Sequence, residues 1–273
     1  MTDAVQAARG TREDFVQSSG FELLSRAGFV ARGLIYGIVG VLALKLALGV
    51  GGKVTDQEGA LQTVAKQPFG KILLALVAVG LGGYSLWRLV RAGLGRGPEG
   101  SDSGVDRVAA LASGIVYLGF CVMAVRILAG SGASSSSSPD SQTAGVLGWP
   151  AGPLIVGAAG LVMIGVGLYQ GYRGITKDFL DDSKTEEMSP RMRGWISRIG
   201  MIGHLARMVV FVLVGYFLVK AAVQFDAKEA VGLDGALAEV VNGSFGPLLL
   251  GIVAVGLIAF AVYSVSDARY RRI

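Results

Sequence analysis

Charge is what this chain is short of. Asp, Glu, Lys and Arg supply 16% of its 273 residues, against 52% hydrophobic, where soluble domains carry about a quarter charged. Water-facing surface needs charge and lipid-facing surface does not, so the deficit excludes an ordinary soluble domain. Cysteine is nearly missing too. Cys121 is the single one, which excludes an internal disulfide and any cysteine-built metal site. His204 is also alone, and without a His or Cys partner it reads as a packed or interfacial histidine before a ligand or proton relay. The first 27 residues carry Arg9, Arg12, Arg26, Glu13, Asp14 and Glu22 but no apolar signal-peptide core. The first hydrophobic span is therefore expected to act as its own insertion signal and to stay in the mature protein.

What is present is apolar and rich in small residues, with 42 glycines. A transmembrane helix needs about 20 mostly apolar residues. Residues 149–172 and 245–266 qualify without a single charge, 108–125 nearly so, and 72–87 once Lys71 and Arg88 snorkel. Two runs are shorter, 33–44 between Arg32 and Lys45 and 208–219 between Arg207 and Lys220. Alone they would read as buried helices of a soluble protein; their place in a repeat makes them spans.

The net charge of +5 sits at the ends of these runs, so a membrane accounts for it better than nucleic acid does. Basic residues gather before the first span and after the second, fourth and sixth: Arg88, Arg91, Arg96 and Arg107 in one connection, Arg173, Lys177, Lys184, Arg191, Arg193 and Arg198 in another. The alternate loops hold Lys53, Lys66 and Lys228. The positive-inside rule then places both termini in the cytoplasm. Arg outnumbers Lys 17 to 8 amid much Ala, Gly and Val, a composition that suits a GC-rich bacterial genome and an inner-membrane location.

The chain repeats itself three times. Aligning Arg32, Ser113 and Arg207 brings Tyr36, Tyr117 and Phe211 together, then Gly40, Cys121 and Gly215, then Lys45, Arg126 and Lys220. Gly28, Ala109 and Gly203 match as small residues upstream. The second helices align through Gly70, Gly152 and Gly246, in PFGKILLA, PAGPLIVG and SFGPLLLG, and then through Trp87, Tyr169 and Tyr263, expected as interfacial aromatics. The expected fold is all-α: a polytopic membrane protein whose six transmembrane helices form three parallel two-helix repeats around a pseudo-threefold axis. An N-terminal segment, 1–21, precedes repeats at 22–97, 98–180 and 181–273. This pattern resembles a bacterial family of uncharacterised membrane proteins, common in actinobacteria and known only as a domain of unknown function. The resemblance covers residues 22–270 and implies a fold and a membrane location, with no activity and no catalytic residue.

Outside the spans, residues 130–141 hold five consecutive serines and read as a flexible outer linker. Met192, Trp195, Ile196 and Ile199 share a helical face and suggest a short helix lying in the interface, and Phe21, Leu24 and Gly28 the same before the first span. The pairs Gly33–Gly37 and Gly167–Gly171 are helix-packing motifs. Asp178, Asp181, Asp182, Glu186 and Glu187 read as a solvated mixed-charge loop in preference to a metal site.

The sharpest signal is the basic set. Thirteen residues of helix rise about 20 Å, less than the roughly 30 Å of hydrocarbon, so Arg32 and Lys45 cannot both lie far outside it. Intramembrane charge is costly and marks function by default. Lys45, Arg126 and Lys220, with Arg32, Arg207, Tyr36 and Tyr117, are accordingly the candidate ligand or lipid-binding residues; snorkelling to outer headgroups is the plain alternative. No Asp or Glu falls within a span so drawn, which argues against a proton pump. The reading is a non-enzymatic accessory or scaffolding subunit of an envelope complex, with membrane lipids, anionic ones among them, and membrane proteins as partners. No cofactor, metal or nucleic acid is expected. The rival is a transport or lipid-handling protein that binds an anionic ligand at a basic ring near the outer leaflet.

Overall fold

A computed structural model describes residues 19–51, 55–94, 96–97, 100–101, 104–130, 139–242 and 245–272. The first repeat comprises α1 (Ser19–Ala47), a short α2 (Gln57–Ala65) and α3 (Gly70–Leu94). A two-residue antiparallel pair, β1 (Arg96–Gly97) with β2 (Gly100–Ser101), leads into the second: α4 (Gly104–Leu128), a short α5 (Pro139–Leu147) and α6 (Gly152–Thr176). The third comprises α7 (Pro190–Gln224), a short α8 (Leu233–Asn242) and α9 (Gly246–Tyr270). All six long helices are apolar and long enough to cross a membrane. The bundle therefore has a short-helix end, where α2, α5 and α8 sit, and a basic end, where α3 joins α4 and α6 joins α7.

The glycine that opens each second helix now has a reason. A Cβ at Gly70, Gly152 or Gly246 would stand 2.2, 2.1 and 1.9 Å from the carbonyl oxygens of Ala65, Val146 and Val241. The chain doubles back there from short helix to long helix too tightly for any side chain. Proline next to the glycine, Pro153 in α6 and Pro247 in α9, falls in the first turn, where its missing N–H costs nothing.

The long helices pack in the order α4, α3, α1, α9, α7, α6. Each second helix lies against the first helix of the following repeat, and α9 closes back on α1. Three equivalent contacts hold these seams. A Cβ at Gly40 would lie 3.0 Å from the Ala254 carbonyl oxygen, one at Gly215 would lie 2.6 Å from that of Gly160, and Cys121 Sγ donates to that of Ala78 at 3.3 Å. Ala78, Gly160 and Ala254 are themselves equivalent in the three repeats. Close approach of backbones is how helices associate where lipid supplies no hydrophobic drive.

Within repeats the equivalence breaks. α1 packs on α3 and α7 on α9, while α4 and α6 make little or no contact among the described residues. Gly28 fits against Tyr84 and Gly203 against Phe260, where a Cβ would lie 2.4 Å from Tyr84 Cβ and 2.7 Å from Phe260 Cα. Their counterpart in the middle repeat is Ala109, which carries the atom that does not fit, and it is exposed. Of the apolar stretches, 17% of α4 and 22% of α6 is buried, against 56% of α1.

Two expectations change. The stretch around Trp195 is no separate interfacial helix: it continues into α7, whose 35 residues span about 52 Å. Ser189 caps that helix through the Met192 N–H, and Pro190 opens it. Phe21 and Gly28 are likewise buried turns of α1 itself. Of the serine-rich linker, residues 131–138 lie outside the described residues, and 139–141 already belong to α5.

Candidate functional site

The basic end of the bundle holds a buried polar network that the apolar spans conceal. Arg32, 5% exposed, lies at its centre. Its Nε donates to Ser264 Oγ at 3.1 Å, Nη1 to the Tyr84 hydroxyl at 2.9 Å and Nη2 to Asp267 Oδ2 at 2.8 Å. Phe29, Tyr84 and Phe260 present ring faces 5.0, 5.3 and 5.2 Å from the guanidinium carbon. Three hydrogen bonds, one of them to a carboxylate, offset the loss of water that a buried guanidinium suffers, and the rings pack around it.

Asp267 overturns the expectation that no acid lies within a span. The sixth helix runs on to Tyr270, and Asp267 is 1% exposed inside it. It stands one residue beyond the uncharged run, which is why hydropathy alone left it outside.

At the same level the other two seams each hold one arginine. On α7, Arg207 lies over Phe260, Phe211 and Tyr36 at 4.5, 4.9 and 5.6 Å. With the Gln170 amide oxygen facing it, Nη1 and Nη2 donate at 2.9 and 3.0 Å, and the amide nitrogen donates to His204 Nδ1 at 3.1 Å. That orientation sets the His204 proton on Nε2. At the α3–α4 seam Ser113 stands where the other repeats have arginine, and the charge comes from the opposite helix. Arg88 donates to the Tyr84 hydroxyl from Nε at 3.0 Å and Nη2 at 2.9 Å. Arg88, Gln170 and Ser264 are equivalent positions, so at this level one guanidinium stands at each seam and only its helix of origin differs.

Below this layer a connection clamps the bundle. Asp182 Oδ2 accepts from Arg173 at 2.6 Å and Arg271 at 2.7 Å. Burial alone would raise the Asp182 pKa, but Arg271 and Arg173 outweigh it and hold the carboxyl well below the usual carboxylate range. Ser183 pairs with Arg271 in a β-bridge, Lys184 N–H donates to the Tyr270 carbonyl, and Arg26 reaches the Ala268 carbonyl. Glu186 pairs with Arg272 and Glu187 with Lys184. Among the described residues no cluster of three or more His, Cys, Asp or Glu is placed to hold a metal.

The sequence-derived candidates divide. Arg32, Arg207, Tyr36 and Tyr117 come together: Tyr36 packs on Phe260 with ring centroids 4.8 Å apart, Tyr117 on Tyr84 at 4.5 Å, and both rings are buried. Lys45 and Arg126 are exposed, and Lys220 pairs with Glu229 at 2.7 Å, an acid of the α7–α8 connection. Trp87 and Tyr263, expected at the interface, are buried beside Phe29 and His204, and Tyr169 is exposed. His204 is packed as expected, stacked on Phe179 at 4.9 Å. Sequence reasoning missed Tyr84, Arg88, Gln170, Ser264 and Asp267. Applying the repeat offset to the second helices as well would have paired Arg88 with Ser113.

An all-helical polytopic membrane architecture built from a thrice-repeated helical hairpin is thus defined. The chain belongs to the family described as Domain of Unknown Function (DUF1206), whose model matches at residues 27–95, 108–177 and 202–271. It is similar to an uncharacterized protein, YxxB, of Bacillus subtilis (strain 168), 33% identical over 251 residues and covering 90% of each chain. No solved structure matches it.

Proposed function

We propose that this protein is a non-enzymatic accessory or scaffolding subunit of a larger assembly in the bacterial cytoplasmic membrane. Its repeats surround a pseudo-threefold axis, and both ends of the chain face the cytoplasm. The distribution of Lys and Arg supports that orientation, and the three equivalent seam contacts support the axis. The observation that carries the scaffold reading is the middle repeat. α4 and α6 each hold one neighbour closely and leave most of their apolar surface without protein, which suits packing by the transmembrane helices of another protein.

Photo-crosslinking in the native host tests this. Crosslinking residues at Val116 and Val162, both exposed, should give adducts with a different membrane protein. Adducts with lipid alone, or with a second copy, would overturn the accessory role. The orientation has its own test: a cysteine at Lys228 should react with an impermeant thiol reagent in intact cells, and one at Lys184 only after permeabilisation. The opposite pattern would invert the protein.

A lipid-handling reading has one observation in its favour. Four of the candidate residues gather at the basic end, although the outer lysines and Arg126 do not join them.

A further inference from the structure

Among the described residues the three seam arginines have one paired carboxylate between them. Asp267 neutralises Arg32, but among the described residues no carboxylate pairs with Arg88 or Arg207; their bonding partners are a phenol and an amide. The three form a continuous group. Arg88 and Arg32 share the Tyr84 hydroxyl, and Arg32 and Arg207 share the Phe260 ring. A half-buried guanidinium without a carboxylate, at the end of apolar helices, is stabilised by an anion beside it.

Hydrogen bonding points the same way. Arg207 Nε, His204 Nε2 and the Tyr263 hydroxyl are buried without a partner, and all three flank Phe260. Each carries a proton, so the region has donors in excess of acceptors; Asp267 Oδ1 is the one unpartnered acceptor beside them. Orphaned donors of this kind mark a place for an acceptor group that no described residue supplies. Arg88 and Arg207 are only half-buried, so each keeps a side open. The walls of the gap between α4 and α6 carry members of the same group, Tyr117 on α4 and Gln170 on α6.

We infer that Arg88, Arg32 and Arg207 form a binding site for a phosphate-type oxyanion, reached between α4 and α6 at the basic end. Planar guanidinium forks match phosphate oxygens bidentately. The anion is a lipid phosphate or free phosphate, and the site stands whether or not the protein also serves as a scaffold.

The test uses the full chain in a mild neutral detergent, with thermal unfolding followed in two titrations. One adds inorganic phosphate, the other mixed micelles of phosphatidylglycerol against phosphatidylcholine. Stabilisation by inorganic phosphate identifies free phosphate; stabilisation by phosphatidylglycerol alone identifies a lipid headgroup. In Arg88→Gln and in Arg207→Gln the half-saturating concentration should rise about tenfold or more, the weight of one charge-assisted contact. Lys45→Gln should leave it unchanged. No stabilisation by either titrant would overturn the site, and so would a response undiminished in both arginine variants. Should the glutamine variants aggregate, Arg207→Lys keeps the charge and loses the fork. Its half-saturating concentration should also rise, and wild-type affinity in that variant would overturn the site.

Discussion

The middle repeat and the two that flank it solve the same problem with different atoms. In the first and third, a glycine lets the paired helices close on Tyr84 or Phe260, and an arginine on the first helix reaches across to the preceding repeat. In the middle one Ala109 stands in the glycine's place and the pair stays apart, and the arginine has moved to the facing helix as Arg88. The charge at each seam is kept while the packing within the repeat is not. Seam electrostatics thus constrain this fold more tightly than hairpin closure, and the unclosed hairpin is the part left free for other contacts.

The largest effect should come from making the first repeat resemble the middle one. Arg32→Ser removes the near partner of buried Asp267, leaving it only Arg271 at 3.8 Å, and should cost about 3–5 kcal/mol, read by unfolding in mild detergent. Adding Asp267→Asn should recover part of that loss. A double variant as unstable as the sum of the singles would show that the two residues are not coupled. Gly203→Ala comes next. Its Cβ would meet the Phe260 backbone at 2.7 Å, and overpacking of this kind costs about 1–3 kcal/mol. A cysteine pair across α7 and α9 that still crosslinks at the wild-type rate in this variant would sever the link between glycine and hairpin closure.

Asp182→Asn should destabilise by about 1–3 kcal/mol near neutral pH, through two weakened guanidinium contacts. Because the folded carboxyl has a depressed pKa, its contribution is complete above the unfolded value near 3.9 and is lost as pH falls through the folded one. The gap between wild type and variant should therefore narrow only in acid; narrowing between pH 8 and 6 would assign the clamp to another group. Smallest of all, Lys45→Gln with Arg126→Gln should barely move the unfolding midpoint, since both side chains are exposed. A large shift would restore the Lys45 and Arg126 layer as a structural site.

Much of this was legible in one dimension. The spans, the three units and the seam glycines follow from hydropathy and spacing, because helix count and close approach are written in residue size. The network at the basic end was only half legible. Spacing puts Lys45, Arg126 and Lys220 at one height, but thirteen residues turn a helix through about 220° net, so a layer that faces inward at Arg32 faces elsewhere at Lys45. Asp267 escaped notice because it lies just past an uncharged run, in a helix whose end hydropathy cannot place. The exchange of Ser113 for Arg88 escaped because it is a relation between two helices, visible only once they are known to touch.

The contact of α9 with α1 also sets the order of assembly. Arg32 and Asp267 are 235 residues apart, which at about 5–20 residues per second of synthesis separates their insertion by roughly 12–50 s. During that interval the first helix waits in the bilayer with its guanidinium held by the Tyr84 hydroxyl and without its carboxylate partner. Lipid phosphate, or an insertion factor able to shield one arginine, is the natural custodian of α1 until the last helix arrives, so truncations that stop short of Asp267 should leave α1 extractable and short-lived.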